Sequence, residues 1–177
     1  MLLLKCMTCI FLYFSGYFFY CHNQIAWTFI CAMGSVISLL SFINEFFRGK
    51  YRRMTMKKID QLSGREFEQY LCVQFKRLGY QVKLTDASHD YGADLILKKR
   101  RECIVVQAKR YDRNIGIAAV QEVVGAVAYY EADRAMVVTN RYFTRSAWKL
   151  AAQNEVELWT RDDIRKNFRI RDEKLPS

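Results

Sequence analysis

Proline is all but missing from this chain. Pro176 is the only one among 177 residues, and glycine numbers 8. That scarcity excludes a collagen-like repeat and a proline-rich disordered chain. No internal repeat or low-complexity segment makes up for it. A second scarcity is local. Residues 1–47 hold two charges, Lys5 and Glu45, although charged residues make up 26% of the whole. Acidic side chains are outnumbered 18 to 28, which leaves a net charge of +10. The six cysteines stand at 6, 9, 21, 31, 72 and 103, and they do not form the framework of a small disulfide-rich domain. Cys6-x-x-Cys9 has no second ligand pair, so it does not read as a metal or redox site.

What is present begins with hydrophobicity. Met1 to Tyr20 is apolar apart from Lys5, Thr8 and Ser15, and Ile25 to Phe47 is a 23-residue stretch with Glu45 near its end. A bilayer core of about 30 Å takes roughly 20 residues of helix. Both stretches are long enough, and only Cys21-His22-Asn23-Gln24 separates them. The expectation is a transmembrane helical hairpin over 1–47. Arg48, Lys50, Arg52, Arg53, Lys57 and Lys58 follow at once. Such a basic run marks the cytoplasmic side, so both termini should face the cytoplasm of a cell membrane, the inner one in a bacterium. A cleaved signal peptide is the rival reading of the first stretch. No small-x-small cleavage site follows it, and a second span comes directly after. Residues 48–60 read as a basic linker that meets anionic lipid.

Residues 61–170 read as one domain and 171–177 as a tail. Ser63-Gly64-Arg65-Glu66 has the capping-box form, and Phe67, Leu71, Phe75 and Leu78 recur at helical spacing. Strands are expected over 80–85, 94–99, 103–110, 134–140 and 156–160. Helices are expected over 117–131, 144–154 and 161–168. Asp86 to Ala93, with His89 and Asp90, is a loop by composition. The order α-β-β-β-α-β-α-β-α implies an α/β fold, a mixed sheet with helices on both faces.

Candidate chemistry sits on the hairpin of the second and third strands. Alternation puts Asp94, Ile96 and Lys98 on one face, and Gln107 and Lys109 on one face. A turn centred between Arg100 and Arg101 places Asp94 opposite Gln107. Arg-Arg is a poor two-residue hairpin turn, and a slip of one residue would separate the faces. Glu68 falls beside the apolar face of its helix, a costly place for a carboxylate. Carboxylate and amide oxygens suit a hard cation such as Mg²⁺, which can activate water at a phosphodiester. A nearby lysine can stabilise the charge that develops.

Several motifs occur in order: Gly64-x-x-Phe67-Glu68, Leu78-Gly79-Tyr80, Asp90-Tyr91-Gly92-Ala93-Asp94, Val106-Gln107-Ala108-Lys109-Arg110-Tyr111, Ala119-Val120-Gln121-Glu122, and Val138-Thr139-Asn140 with Phe143-Thr144 and Ala147. The set resembles the Mrr-type restriction endonuclease domain of the PD-(D/E)xK nuclease superfamily, over roughly residues 60–165. The resemblance implies a restriction-endonuclease-like αβββαβ core and a DNA endonuclease using Mg²⁺, with Mn²⁺ as a substitute. It makes Asp94 a metal ligand, Gln107 a ligand or orienter, Lys109 the catalytic lysine, and Glu68 the helix carboxylate completing the site. Lys98, Lys99, Arg100, Arg101, Arg110 and Arg113 are the candidate phosphate contacts, and Gln121 faces the site from its helix. Expected partners are DNA and membrane lipid, with a homodimer left open. A DNA-binding adaptor that does not cleave, or a nuclease for RNA or branched DNA, are the alternatives.

Overall fold

The computed structural model describes residues 8, 10–17, 25–85 and 91–170. The chain divides into two compact units, Met1–Lys50 and Tyr51–Ser177.

In the first unit, residues 10–17 are helical (α1) and α2 spans Ile25–Arg52, its last two residues lying in the second unit. The two helices pack through small residues. A Cβ on Gly16 would stand 3.0 Å from the Cys31 side chain, and one on Gly34 would stand 3.2 Å from Leu12. Among the described residues no helix is long and apolar enough to cross a membrane. The two spans expected from the sequence are therefore not supported by these helices. Residues 1–7, 9 and 18–24, where the first span and the outer loop were expected, lie outside the described residues.

The second unit opens with α3 (Met56–Ile59) and α4 (Gly64–Arg77). Ser63 caps α4 as its sequence predicts: its hydroxyl accepts from the Glu66 N–H, and the Glu66 side chain accepts from the Ser63 N–H. Then come β1 (Gln81–Leu84), β2 (Leu95–Lys99), β3 (Glu102–Lys109), α5 (Ala118–Tyr129), β4 (Arg134–Thr139), α6 (Arg145–Gln153), β5 (Val156–Trp159) and α7 (Arg161–Asn167). From α4 onward the order is the expected one. The sheet runs β1-β2-β3-β4-β5, with β1, β2 and β3 antiparallel and β3, β4 and β5 parallel. This is the mixed sheet flanked by helices expected from the sequence.

Strand alternation sorts the core into two layers. Leu95, Leu97, Ile104, Val106, Met136 and Val138 face α4 and α7, where Phe67, Tyr70, Phe75 and Phe168 gather. Val105, Ala135 and Val137 face α5 and α6. The register places Leu95 opposite Val106 and Lys98 opposite Cys103. Extended by one step, it sets Asp94 against Gln107. Arg100 makes the tight turn by adopting φ +56°, a left-handed conformation that costs a non-glycine residue about 1 kcal/mol or more.

The supposed linker is a departure. Tyr51, Met56 and Ile59 are buried in the α4 layer. The Tyr51 hydroxyl donates to Gln69 Oε1 at 3.1 Å, and the Tyr51 carbonyl accepts from Gln74 Nε2 at 2.7 Å. The basic side chains of 48–58 masked this, because the apolar positions between them follow no long period. Tyr51→Ala should cost about 3–5 kcal/mol, the usual loss for a buried aromatic. Urea unfolding of the variant against the parent measures it; a loss below 1 kcal/mol would return 51–59 to the role of a linker.

Candidate active site

The site lies where β2 begins and β3 ends. Asp94 and Gln107 are both buried, 8% and 4% exposed. One carboxylate oxygen, Asp94 Oδ2, accepts from Gln107 Nε2 at 2.7 Å and from the Ala108 N–H at 2.7 Å. The Asp94 carbonyl accepts from the Thr85 N–H and hydroxyl, both at 3.0 Å. The acid is thus fixed from both sides. Because the Gln107 amide nitrogen is committed to the carboxylate, its oxygen is the free end. Gln107 Oε1 is buried and has no hydrogen-bond partner. A buried acceptor left so costs about 1–3 kcal/mol, and a cation would satisfy it.

Lys109 follows two residues on, on the same face. Its ammonium stands 2.6 Å from Glu122 Oε2 on α5. Beside this pair opens a cavity of about 430 Å³ whose walls include Arg113, Asn114 and Thr144. Glu68 is 16% exposed and pairs with Arg65 at 2.6 Å. It belongs to α4, on the opposite face of the sheet from Lys109. Arg65 also reaches the Thr85 carbonyl at 3.5 Å, which links Glu68 to the backbone holding Asp94 but not to its carboxylate. Among the described residues no group of three acidic, histidine or cysteine side chains is placed to hold a metal. Asp90 and His89 lie outside the described residues.

The candidate phosphate contacts separate. Arg113 lines the cavity beside Lys109. Arg110 does not face it; its guanidinium donates to the Asp60 carbonyl and is half-buried. Lys98, Lys99, Arg100 and Arg101 sit at the far end of the hairpin, about 13–20 Å from Asp94 at about 3.3 Å per strand residue. Lys99 there donates to the Leu78 carbonyl at 2.9 Å and lies over the Tyr80 ring. Gln121 is exposed on α5.

Two features of the site were not drawn out of the sequence. Glu122 is one. Its position three residues after buried Ala119 and four before buried Ala126 puts it on the flank of the α5 core face, and that spacing was the available signal. The other is a polar network behind Lys109. Asp60 accepts from Arg161 Nη1 at 2.7 and 2.8 Å and from Asn140 Nδ2 at 2.9 Å. Asn140, fully buried, also accepts from the Tyr111 N–H at 3.0 Å. Burial pushes the Asp60 carboxyl up, but the hydrogen bonds from Arg161 and Asn140 and the Arg161 charge win, holding it below the usual carboxylate range. These contacts fix the chain where it leaves β3.

The loop leading into Asp94 rests on α5. Gly92 has φ +89°, and a Cβ there would stand 2.2 Å from the Glu122 carbonyl oxygen. Tyr91, at φ +46°, stacks on Tyr129 with ring centroids 3.8 Å apart.

Residues 59–168 match the Mrr_cat family of restriction endonucleases. The match covers more than half of the chain, so the protein belongs to that family. It therefore carries a nuclease domain of the restriction-endonuclease type. No curated protein matches the chain. A crystal structure titled as a protein of unknown function, AF1548, is similar at 13% identity and a TM-score of 0.44, over 50% of this chain and 53% of that one. The chain thus spans about half the length of that structure.

Gly92→Ala tests the loop. The added methyl meets a backbone carbonyl and a positive φ together, so we expect a loss of about 1–3 kcal/mol and loss of nuclease activity. Thermal unfolding and a plasmid-cleavage assay read the two effects; a variant equal to the parent in both would show that the loop does not rest on α5.

Proposed function

We propose that this protein is a divalent-metal-dependent DNA endonuclease held at a membrane by its N-terminal helices. The observation that carries the metal assignment is Gln107 Oε1, a buried acceptor without a partner beside a buried carboxylate. Asp94 and Gln107 would hold Mg²⁺, or Mn²⁺ in its place. Mg²⁺ is commonly bound by one or two carboxylates, waters and substrate phosphate oxygens rather than by a full protein cage, so this donor set fits. When bound, the ion supplies an activated water and neutralises phosphate charge.

The other steps belong to the chain itself. Ala108 N–H and Gln107 Nε2 aim the Asp94 carboxylate. Lys109 presents a cation to the phosphodiester oxygens and stabilises the charge they gain as the bond to the attacking water forms. Glu122 keeps that ammonium in place, and Arg113 offers a second phosphate contact from the cavity wall. Glu68 acts at one remove, through Arg65 and Thr85.

Membrane attachment is supported by the charge-poor sequence of 1–47 and by the surface of the first unit. Phe11, Phe14, Phe29, Ile30, Met33, Ile37 and Leu40 are each more than half exposed. An apolar surface of that extent is not left to water, and glycine-lined helix packing of the Gly16 and Gly34 kind suits lipid. Reporter fusions test it: one after Ser177 should be active only in its cytoplasmic form. An exported C-terminus would remove the nuclease from its DNA and overturn this placement.

Catalysis is tested by substitution. Asp94→Ala should abolish cleavage while DNA binding survives, since it removes the anionic ligand. Lys109→Ala should lower the rate by about 10²–10³, the usual cost of one electrostatic partner. Gln107→Glu should keep part of the activity and Gln107→Leu none, because only the former has an oxygen donor. Each variant is compared by circular dichroism and by cleavage of duplex, branched and single-stranded substrates with and without Mg²⁺. Folded Asp94→Ala and Lys109→Ala proteins cutting at the parent rate would sink the mechanism.

A further inference from the structure

The second unit contains another polar cavity, of about 470 Å³, that shares no lining residue with the one beside Lys109. Arg52, Arg53, Arg77 and Arg169 stand around it. No acidic residue is among its described lining residues. Two hydroxyl-bearing residues, Thr55 and Tyr70, also line it, and both hydroxyl oxygens are buried without a hydrogen-bond partner. Tyr70 is 0% exposed. Burial pushes its phenol well above the ordinary range, against the pull of the nearby Arg77 charge. Thr55 sits at the N-cap of α3 yet makes no side-chain cap bond.

This arrangement is costly unless something fills it. Two buried hydroxyls without partners each carry a desolvation cost, and four like charges around one cavity repel one another. One of the cations is already aimed. Arg77 Nη1 donates to the Arg52 carbonyl at 3.1 Å and to Gln74 Oε1 at 2.8 Å, and Gln74 is itself anchored on the Tyr51 carbonyl. A guanidinium fixed this way keeps other donors for a ligand. Arginine forks and neutral hydroxyls together are the recognition set for a phosphate group: the guanidinium gives paired, charge-assisted donors and the hydroxyls supply the remaining ones.

We propose that this cavity is a binding site for a phosphate-bearing anion, separate from the nuclease site. The anion is either free in solution or the headgroup of an anionic phospholipid. The cavity is larger than a bare phosphate needs, leaving room for a short polar substituent. Arg77 and the Tyr70 hydroxyl form its floor, and Arg52, Arg53 and Arg169 close around the charge. The site depends on neither Asp94 nor Lys109, so its test is independent of DNA cleavage.

The experiment uses the full chain in non-ionic detergent micelles, with thermal unfolding followed by tryptophan fluorescence. One arm adds inorganic phosphate. The other dopes the micelles with phosphatidylglycerol, with phosphatidylcholine as the zwitterionic control. A ligand that binds only the folded state raises the melting temperature by mass action. Arg77→Gln should weaken the response at least tenfold in ligand concentration. Tyr70→Phe should melt no lower than the parent without ligand, because it deletes an unsatisfied hydroxyl, yet should need several-fold more ligand. Arg169→Gln, at an exposed position, should also need several-fold more. A rise with inorganic phosphate assigns a free anion, and a rise with phosphatidylglycerol alone assigns the headgroup. No rise in either arm, or Tyr70→Phe and Arg169→Gln responding as the parent does, overturns the proposal.

Discussion

The double hydrogen bond to Asp94 Oδ2 is the constraint on which the site depends. Gln107 Nε2 and the Ala108 N–H both reach one oxygen at 2.7 Å. One bond comes from a side chain and the other from the backbone of the same strand. The acid can satisfy both only if β2 and β3 keep their register, since a slip of one residue would turn Gln107 to the other face. Holding that register therefore also fixes Lys109 on the α5 side, where Glu122 receives it. Charge-assisted bonds of this kind are about twice as strong as neutral ones, and here they act between buried groups.

Much of this was legible in the sequence for physical reasons that can be named. The two-residue period and a turn centred on Arg100-Arg101 were enough to set Asp94 against Gln107. What made that turn look doubtful was its lack of glycine, and the structure meets the demand by putting Arg100 at φ +56°. Ser63 and Glu66 announced the start of α4 because a capping box is a local signal. The order of helices and strands followed from runs of apolar residues that differ clearly in period.

What the sequence did not reveal depends on distance along the chain. Asp60 meets Asn140 and Arg161 across separations of 80 and 101 residues, and no local pattern encodes such a meeting. The same holds for Arg110, whose neighbours in sequence made it look like a phosphate contact while a carbonyl 50 residues away takes its guanidinium. Tyr51, Met56 and Ile59 were hidden among basic side chains whose charge dominated the reading. Glu122 was visible as a letter in a motif, but its tie to Lys109 needed the angle at which α5 crosses the sheet.

The bond between Asp60 and Arg161 joins the end of α3 to the start of α7. In doing so it closes a ring that includes Asn140 and the exit of β3. On the ribosome the chain grows from its N-terminus, so Asp60 is made long before its partner. Until Arg161 has emerged, the end of the sheet that bears Asp94, Gln107 and Lys109 lacks its backing. The end of the domain that carries the candidate site is thus framed only after residue 161 has been translated, about a hundred residues after Asp60.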